Sequence, residues 1–148
     1  MKNLFLVFFI SLMLTGCDVT DEGELCATGP VGLAFEVINE TTGQNLFEDD
    51  SFDENQLQIK NNDGENVVFD FITEQNVVSV LLGWESKSDN YSLSIREEIE
   101  FDIAFTLEKS SSEGCASTGL TELDIVGGTY EISETTGVVS IFVNTEDN

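Results

Sequence analysis

Apolar side chains fall on every second position through most of this chain, a spacing that makes strands with one face buried and the other in water. Leu33, Phe35 and Val37 alternate with Ala34 and Glu36. Leu57 and Ile59 lead into Asn61-Asn62-Asp63-Gly64, and Val67, Phe69 and Phe71 follow it. An Asp-Gly step between two alternating runs predicts a hairpin, because glycine accepts positive φ. Val78, Val80, Leu82 and Trp84 lay out one face of the next strand, with Lys87-Ser88-Asp89-Asn90 as the polar turn that ends it. Tyr91, Leu93 and Ile95 then alternate with Ser92, Ser94 and Arg96, and Phe101, Ile103, Phe105 and Leu107 with Asp102, Ala104, Thr106 and Glu108. Beyond a serine-rich loop around Cys115, Leu123 and Ile125 predict a short strand and Gly127-Gly128 a turn. Tyr130 and Ile132 lead through Glu134-Thr135-Thr136-Gly137 to Val139, Ile141 and Val143. A helical period of 3.6 is missing, with one candidate helical turn at Glu97 to Glu100. About eight or nine strands with polar turns between them predict an all-β fold, a single β-sandwich of immunoglobulin-like or transthyretin-like form. A small β-barrel is the alternative.

The first residues follow a different rule. Met1-Lys2-Asn3 supplies one positive charge, and Leu4 to Leu14 is apolar except for Ser11. A membrane-spanning helix needs roughly twenty such residues, so this shorter run fits the core of a secretory signal. It ends in Leu14-Thr15-Gly16-Cys17. That tetrapeptide resembles the lipobox of bacterial lipoproteins: an aliphatic residue, two small residues, then a cysteine. The resemblance implies that the Cys17 thiol receives diacylglycerol, that a peptidase cuts just before it, and that the new amine is acylated too. Two or three acyl chains anchor stably where one is marginal. The implied organisation is a signal peptide over 1–16, a lipid anchor and acidic tether over 17–25, and a β-sandwich domain over 26–148. A plain secretory signal that happens to end at a cysteine is the competing reading.

The tether begins Asp18-Val19-Thr20-Asp21-Glu22-Gly23-Glu24. Asp directly after the lipidated cysteine resembles the enterobacterial signal for retention at the inner membrane. Acidic residues in that stretch also resemble the signal that sends Bacteroidetes lipoproteins to the cell surface. Low lysine content and abundant asparagine favour the second, hence an outer-membrane location on its periplasmic or surface face. Cys26-Ala27-Thr28-Gly29-Pro30, Phe35-Glu36-Val37 and Thr42-Gly43-Gln44-Asn45-Leu46-Phe47 together are similar to small Bacteroidetes lipoproteins of unassigned role, over about twenty residues. What that resemblance implies is a surface or periplasmic β-sandwich, and it carries over no catalytic residue.

Charge narrows the choice of partners. Against 29 Asp and Glu stand 5 Lys and Arg, a net charge of −24. Loss of residues 1–16 removes Lys2 and no acid, leaving Lys60, Lys87, Arg96 and Lys109 as the cations. Nucleic acid is excluded as a partner, since its binding depends on Lys and Arg against phosphates. Anionic headgroups are repelled likewise, so membrane attachment has to be covalent. Such charge often means disorder, but eleven Phe and the alternating aliphatic residues argue for a folded core. A saline habitat, where counterions screen self-repulsion, suits this composition.

With Cys17 given to lipid, Cys26 and Cys115 remain in a compartment where disulfides persist, and we expect them to pair. Closing a loop of that length stabilises by roughly 3–5 kcal/mol in the chain-entropy model. Zinc is disfavoured: the sequence has no histidine and no Cys-x-x-Cys.

The best metal candidate is the acidic loop Glu48 to Asn55. Asp49, Ser51, Asp53 and Asn55 put hard oxygens at alternate positions, as calcium loops do. No glycine follows at Phe52 or Glu54, and Lys60 occupies the position that needs a bidentate glutamate. A solvated loop is therefore the favoured reading, with weak calcium binding as the alternative and no cofactor otherwise expected. Paired carboxylates for glycoside hydrolysis cannot be singled out among so many acids. Serine lacks a histidine base, and no Ser-x-x-Lys occurs. Gly127-Gly128 and Gly114 form no phosphate loop. Trp84 and Tyr91 offer sugar-stacking rings, although Trp84 continues the apolar face of Val78, Val80 and Leu82 and is expected in the core. Asn39-Glu40-Thr41 and Asn90-Tyr91-Ser92 are chance glycosylation sequons. The sequence thus points to a non-enzymatic accessory or binding module of the envelope, its partner an envelope protein or a surface ligand. A calcium-dependent or carbohydrate-binding module comes second, and a carboxylate hydrolase third.

Overall fold

The structure, a computed structural model, describes residues 29–48, 52–112 and 115–145. These form nine strands: β1 (Val31–Asn39), β2 (Leu57–Lys60), β3 (Phe69–Ile72), β4 (Val77–Gly83), β5 (Lys87–Ile95), β6 (Ile99–Ser112), β7 (Cys115–Val126), β8 (Thr129–Ile132) and β9 (Val139–Val143). One sheet has the order β3-β4-β1-β9-β8 and the other β2-β5-β6-β7. Neither closes on itself, so the fold is a β-sandwich and not a barrel.

The alternation read from the sequence sets the inner faces. Leu33, Phe35 and Val37 of β1, Val78, Val80 and Leu82 of β4, and Val139, Ile141 and Val143 of β9 are all buried. Facing them are Leu57 and Ile59 of β2, Tyr91, Leu93 and Ile95 of β5, Phe101, Ile103, Phe105 and Leu107 of β6, and Ile125 of β7. These side chains make one continuous core, and each contributes about 1.5–3 kcal/mol by leaving water. β1 pairs antiparallel with β4 through its first half, Leu33 opposite Val80. Its second half pairs parallel with β9, Val37 opposite Ile141.

Several expectations are corrected. The Asp63-Gly64 turn forms, with Gly64 at φ +77° and its N–H on the Asn61 carbonyl at 2.9 Å. Yet it does not make a hairpin of β2 with β3. Pairing lasts for a bridge between Lys60 and Asn66 and a bond from the Val67 N–H to the Ile59 carbonyl. β3 then leaves for the other sheet, where it pairs with β4. Lys87 to Asn90 are not a turn but the first residues of β5, which pairs with β6 from Lys87 opposite Leu107. Nor is Leu123–Ile125 a short strand in its own right: β7 has 12 residues, and the serine-rich stretch through Ser112 belongs to β6. Glu97 is not in a helical turn, because Arg96 and Glu97 both adopt positive φ, +53° and +60°. They form a tight reverse turn between β5 and β6, closed by the Glu98 N–H on the Ile95 carbonyl at 3.1 Å.

The Thr42–Phe47 motif acts as a plug. Gly43, at φ +72°, turns the chain after β1, and the Leu46 N–H reaches back to the Val37 carbonyl at 2.9 Å. Asn45 is the buried polar residue here. Its amide donates to the Asn76 carbonyl (3.0 Å) and its oxygen accepts the Phe47 N–H (3.0 Å). Leu46 and Phe47 are thereby delivered into the core, where the Phe47 ring meets the edge of Phe71 at 5.3 Å. The motif is explained by packing.

Gly127 and Gly128 carry the chain from one sheet to the other between β7 and β8. A Cβ on Gly128 would stand 2.7 Å from the Phe142 carbonyl oxygen, and one on Gly127 3.0 Å from that of Glu100. Both obstacles are backbone and cannot swing aside. Gly128→Ala should therefore destabilise by about 1–3 kcal/mol through overpacking, read as a lower urea midpoint at unchanged slope. Glu97→Gly should do the reverse. A left-handed conformation costs a non-glycine residue roughly 1–2 kcal/mol, only partly offset by the extra freedom glycine has when unfolded. The same titration should show a small upward shift of the midpoint.

Candidate functional site

The acidic loop is the first place to look, and the structure gives half of it. Asp49 and Ser51 lie outside the described residues. Asp53 and Asn55 are described, and they bind each other. Asp53 caps a single 3-10 turn, Glu54–Gln56, accepting the Asn55 N–H at 2.8 Å, while Gln56 returns a bond to the Asp53 N–H at 3.0 Å. The Asn55 amide also donates to the same Asp53 oxygen. These bonds satisfy a turn, the usual task of an Asp at this position. Among the described residues no group of three or more acids or cysteines is arranged to hold a metal.

Cys17 and Cys26 lie outside the described residues, as does Gly114. Cys115 opens β7, half-buried, opposite Ser112. In the two sequons, Asn39 is held by its own turn: its side-chain oxygen accepts the N–H groups of Thr41 (2.8 Å) and Thr42 (3.0 Å). Asn90 sits half-buried within β5.

The two aromatic candidates part company. Tyr91 is a core residue, its ring edge-on to Phe105 at 5.0 Å. Trp84, expected in the core, is instead 56 % exposed. β4 ends at Gly83, whose φ of +133° breaks the alternation one residue before the tryptophan. The side chain that parity would have sent inward is thus turned out, in the connection that crosses to β5. The sequence did hold the signal, a glycine directly before the last apolar position of the run.

Around Trp84 the chain is held from the other sheet. β6 and β7 continue past their last contact with β5 as a two-stranded ribbon, and the Thr118 hydroxyl donates to the Trp84 carbonyl at 2.6 Å. The Lys109 N–H donates to the Ser86 hydroxyl at 2.9 Å. Lys87 closes the adjacent rim of the core. Its ammonium lies 2.9 Å from Asp89 and 5.2 Å from the Phe105 ring centre, so its stem covers apolar surface while the charge stays near water. Partial burial works against that charge, but the hydrogen bond it donates to Asp89 and the field of Tyr91 outweigh it and raise the Lys87 pKa. The pair accordingly holds at neutral pH, and what the Lys87 charge adds to stability is lost as pH rises through its alkaline pKa.

Hydroxyls and carboxylates cover the outer face of the four-stranded sheet. Successive rungs read Gln58, Ser94 and Glu100, then Lys60, Ser92, Asp102 and Val126, then Asn90, Ala104 and Asp124, then Ser88, Thr106 and Glu122. Thr106 links the last rung, 3.0 Å from both Ser88 and Glu122. Small side chains along β5 leave an open depression over Ser92 and Ser94, with Lys60 and Asp102 on its border. Such a surface offers hydrogen-bond acceptors to a polar ligand and holds no nucleophile paired with a base. Periodicity placed these residues outward; their assembly on one sheet depends on pairings the sequence does not show.

No protein-family model, curated protein or solved structure matches the chain. Among the described residues no helix is long and apolar enough to cross a membrane.

Hydrogen bonds from the Asn55 backbone and side chain hold the Asp53 carboxyl below its ordinary 3.8, against a slight opposing effect of burial. A carboxylate with a lowered folded pKa stabilises above its unfolded value and loses that contribution as pH falls through the folded one. Asp53→Ala should therefore melt below the parent protein at neutral pH, with the gap closing below about pH 4. Paired thermal scans from pH 7 to pH 2.5 check this, the difference between the proteins cancelling the titration of all other acids.

Proposed function

We propose that the chain is an exported lipoprotein, anchored by lipid on Cys17, that holds a non-enzymatic β-sandwich at the cell envelope as a binding or accessory module. The observation that carries this reading is Leu14-Thr15-Gly16-Cys17 at the end of a short apolar run with a basic start. In support, the first described strand begins at Val31, after the stretch 17–25 assigned to anchor and tether. The outer membrane, on its periplasmic or surface face, is the location we favour.

Within this reading the partner meets the polar outer face of the four-stranded sheet. That face presents Ser92, Ser94, Asp102 and Thr106, with Ala104 among them and Val126 exposed on the β7 side. An envelope protein with a basic, hydrogen-bonding surface fits it, and the acidity of the domain would speed such an encounter. The carbohydrate reading is weakened by the burial of Tyr91, which leaves Trp84 alone as a stacking ring.

Pairing of Cys26 with Cys115 belongs to the same proposal. Cys115 is engaged in a disulfide, and assigning Cys17 to lipid leaves Cys26 as its partner. Chain reach supports this pairing. Val31 pairs with Gly83, next to Trp84, whose carbonyl binds Thr118 on the ribbon that Cys115 opens. Five residues from Val31 back to Cys26 reach at most about 18 Å, and the ribbon stands alongside.

Expression of the full chain in a diderm bacterium supplied with an alkyne analogue of palmitate tests the anchor. Label should appear on the parent protein and in the membrane fraction, and Cys17→Ser should lose both. A Cys17→Ser protein that is still labelled, or a parent protein found unlabelled in the periplasm, refutes the lipoprotein reading.

A further inference from the structure

Exposed apolar side chains are unevenly placed on this domain. The large ones among the described residues are Val68, Leu81, Trp84, Val126 and Ile132, and the first three gather where β1 begins. Leu81 pairs with Gly32, and Gly83, directly before Trp84, pairs with Val31. Val68 precedes Phe69, whose partner is Val80, so one further step of that register brings Val68 beside Leu81 on the outer face. They are 87 %, 62 % and 56 % exposed in the order Val68, Leu81, Trp84. Two segments, β4 with its exit and the approach to β3, thus deliver apolar surface to one corner, and clustering of this kind marks a contact surface, whereas single exposed residues do not.

The tether reaches the domain at the same corner. β1 starts there, and its far end, Asn39, is about 26–30 Å away along the strand. If Cys26 pairs with Cys115 as proposed, nine residues, at most about 32 Å of chain, separate that link from the lipid on Cys17. The chain thus enters the domain at the end that carries the exposed apolar residues.

We infer that the Val68–Leu81–Trp84 corner is the face that rests on the lipid surface, with the Trp84 indole seated among the headgroups; this rests on the anchoring at Cys17 proposed above. An indole suits that layer because it is apolar over its rings and donates a hydrogen bond from its edge. Lys87 and Lys109, two of the four cations that follow Cys17, lie by the same turn and have stems long enough to carry their charges back to water. Glu85 and Glu108 flank it as well, so the surface it fits has neutral headgroups. Contact here adds a second, weak hold on the membrane and fixes which way the domain faces.

Trp84 is the one tryptophan in the chain, so its emission reports this corner alone. The lipidated full-length protein is reconstituted from detergent into phosphatidylcholine vesicles, with and without bromine on the acyl chains, and titrated with acrylamide. The expected result is flotation with the vesicles, emission quenched by brominated lipid, and loss of access to acrylamide relative to the protein in detergent-free buffer after enzymatic removal of the acyl chains. Flotation with an emission that ignores bromine and stays open to acrylamide overturns the orientation while leaving the anchor intact. Shielding that rises with protein concentration and not with lipid gives the corner to a second copy, and overturns it too. Failure to float removes the anchor itself, and the orientation with it.

Discussion

β1 is paired on both sides by strands that arrive from distant parts of the chain. β4 runs antiparallel along its first half and β9 parallel along its second. Phe35 stands at the changeover, opposite Val78 on one flank and Val139 on the other, with no exposure to water. A parallel pair cannot be closed by a tight turn, so this contact waits until nearly the whole chain has been laid down. The ordering cost of that closure is met by the continuous core, since burying β1 also buries what faces it from β5 and β6. Glu36, on the outward side of the same strand, accepts the Ser140 hydroxyl at 2.6 Å and receives the Asn45 amide at 3.4 Å. One strand thus ties together the last strand and the plug formed by the Thr42–Phe47 motif.

How much of this was legible follows from what alternation encodes. Period two tells which side chains point inward, and it did so for Leu33, Phe35 and Val37 as for Phe101 through Leu107. It does not tell which sheet a strand joins, because both inner faces are apolar and the code is the same. The Asp63-Gly64 turn shows the result: its chemistry was legible, but whether Phe69 went on beside Ile59 or crossed over was not. Lys87 and Asp89 misled for another reason. Their side chains are polar because they lie at the rim of the core, where a charged pair over Tyr91 and Phe105 replaces an apolar one. The long ribbon past Leu107 was invisible because serines and threonines, without a face to bury, carry no period. Arg96 and Glu97 lack the Asn-Gly signature of their turn, so only the backbone reveals it.

Acidity on this scale is tolerated because the sandwich turns its carboxylates outward. Alternation places Glu100, Asp102, Glu122 and Asp124 across the outer face of the four-stranded sheet, separated by Ser92, Ala104 and Thr106. Spacing through water and small residues weakens their mutual repulsion, and salt weakens it further within a Debye length of about 8–10 Å. Stability should thus depend on ionic strength through the whole surface, with the core indifferent to it. The same arrangement guards the open edge of β7, where Glu122 and Asp124 discourage pairing with another strand.

The fold therefore separates two kinds of surface that the sequence interleaves. Three of the five large apolar residues left exposed among the described residues, Val68, Leu81 and Trp84, lie at the end where the chain enters: Val68 where the chain switches sheets before β3, Leu81 on the outward parity of β4, and Trp84 after the break at Gly83. Carboxylates and hydroxyls occupy the long flank of the other sheet, while Asp53, Glu54, Glu97 and Glu98 crowd the opposite end. A domain seated by its apolar corner would hold that polar flank upright from the membrane, open along its length, with its most acidic end farthest from the headgroups. Charge repulsion and apolar contact would then act in the same direction, since tipping the domain over would press the acids onto the surface and lift Trp84 away. Orientation in this arrangement requires no rigid tether; it follows from an uneven distribution of side chains on a fold whose strands are fixed by β1.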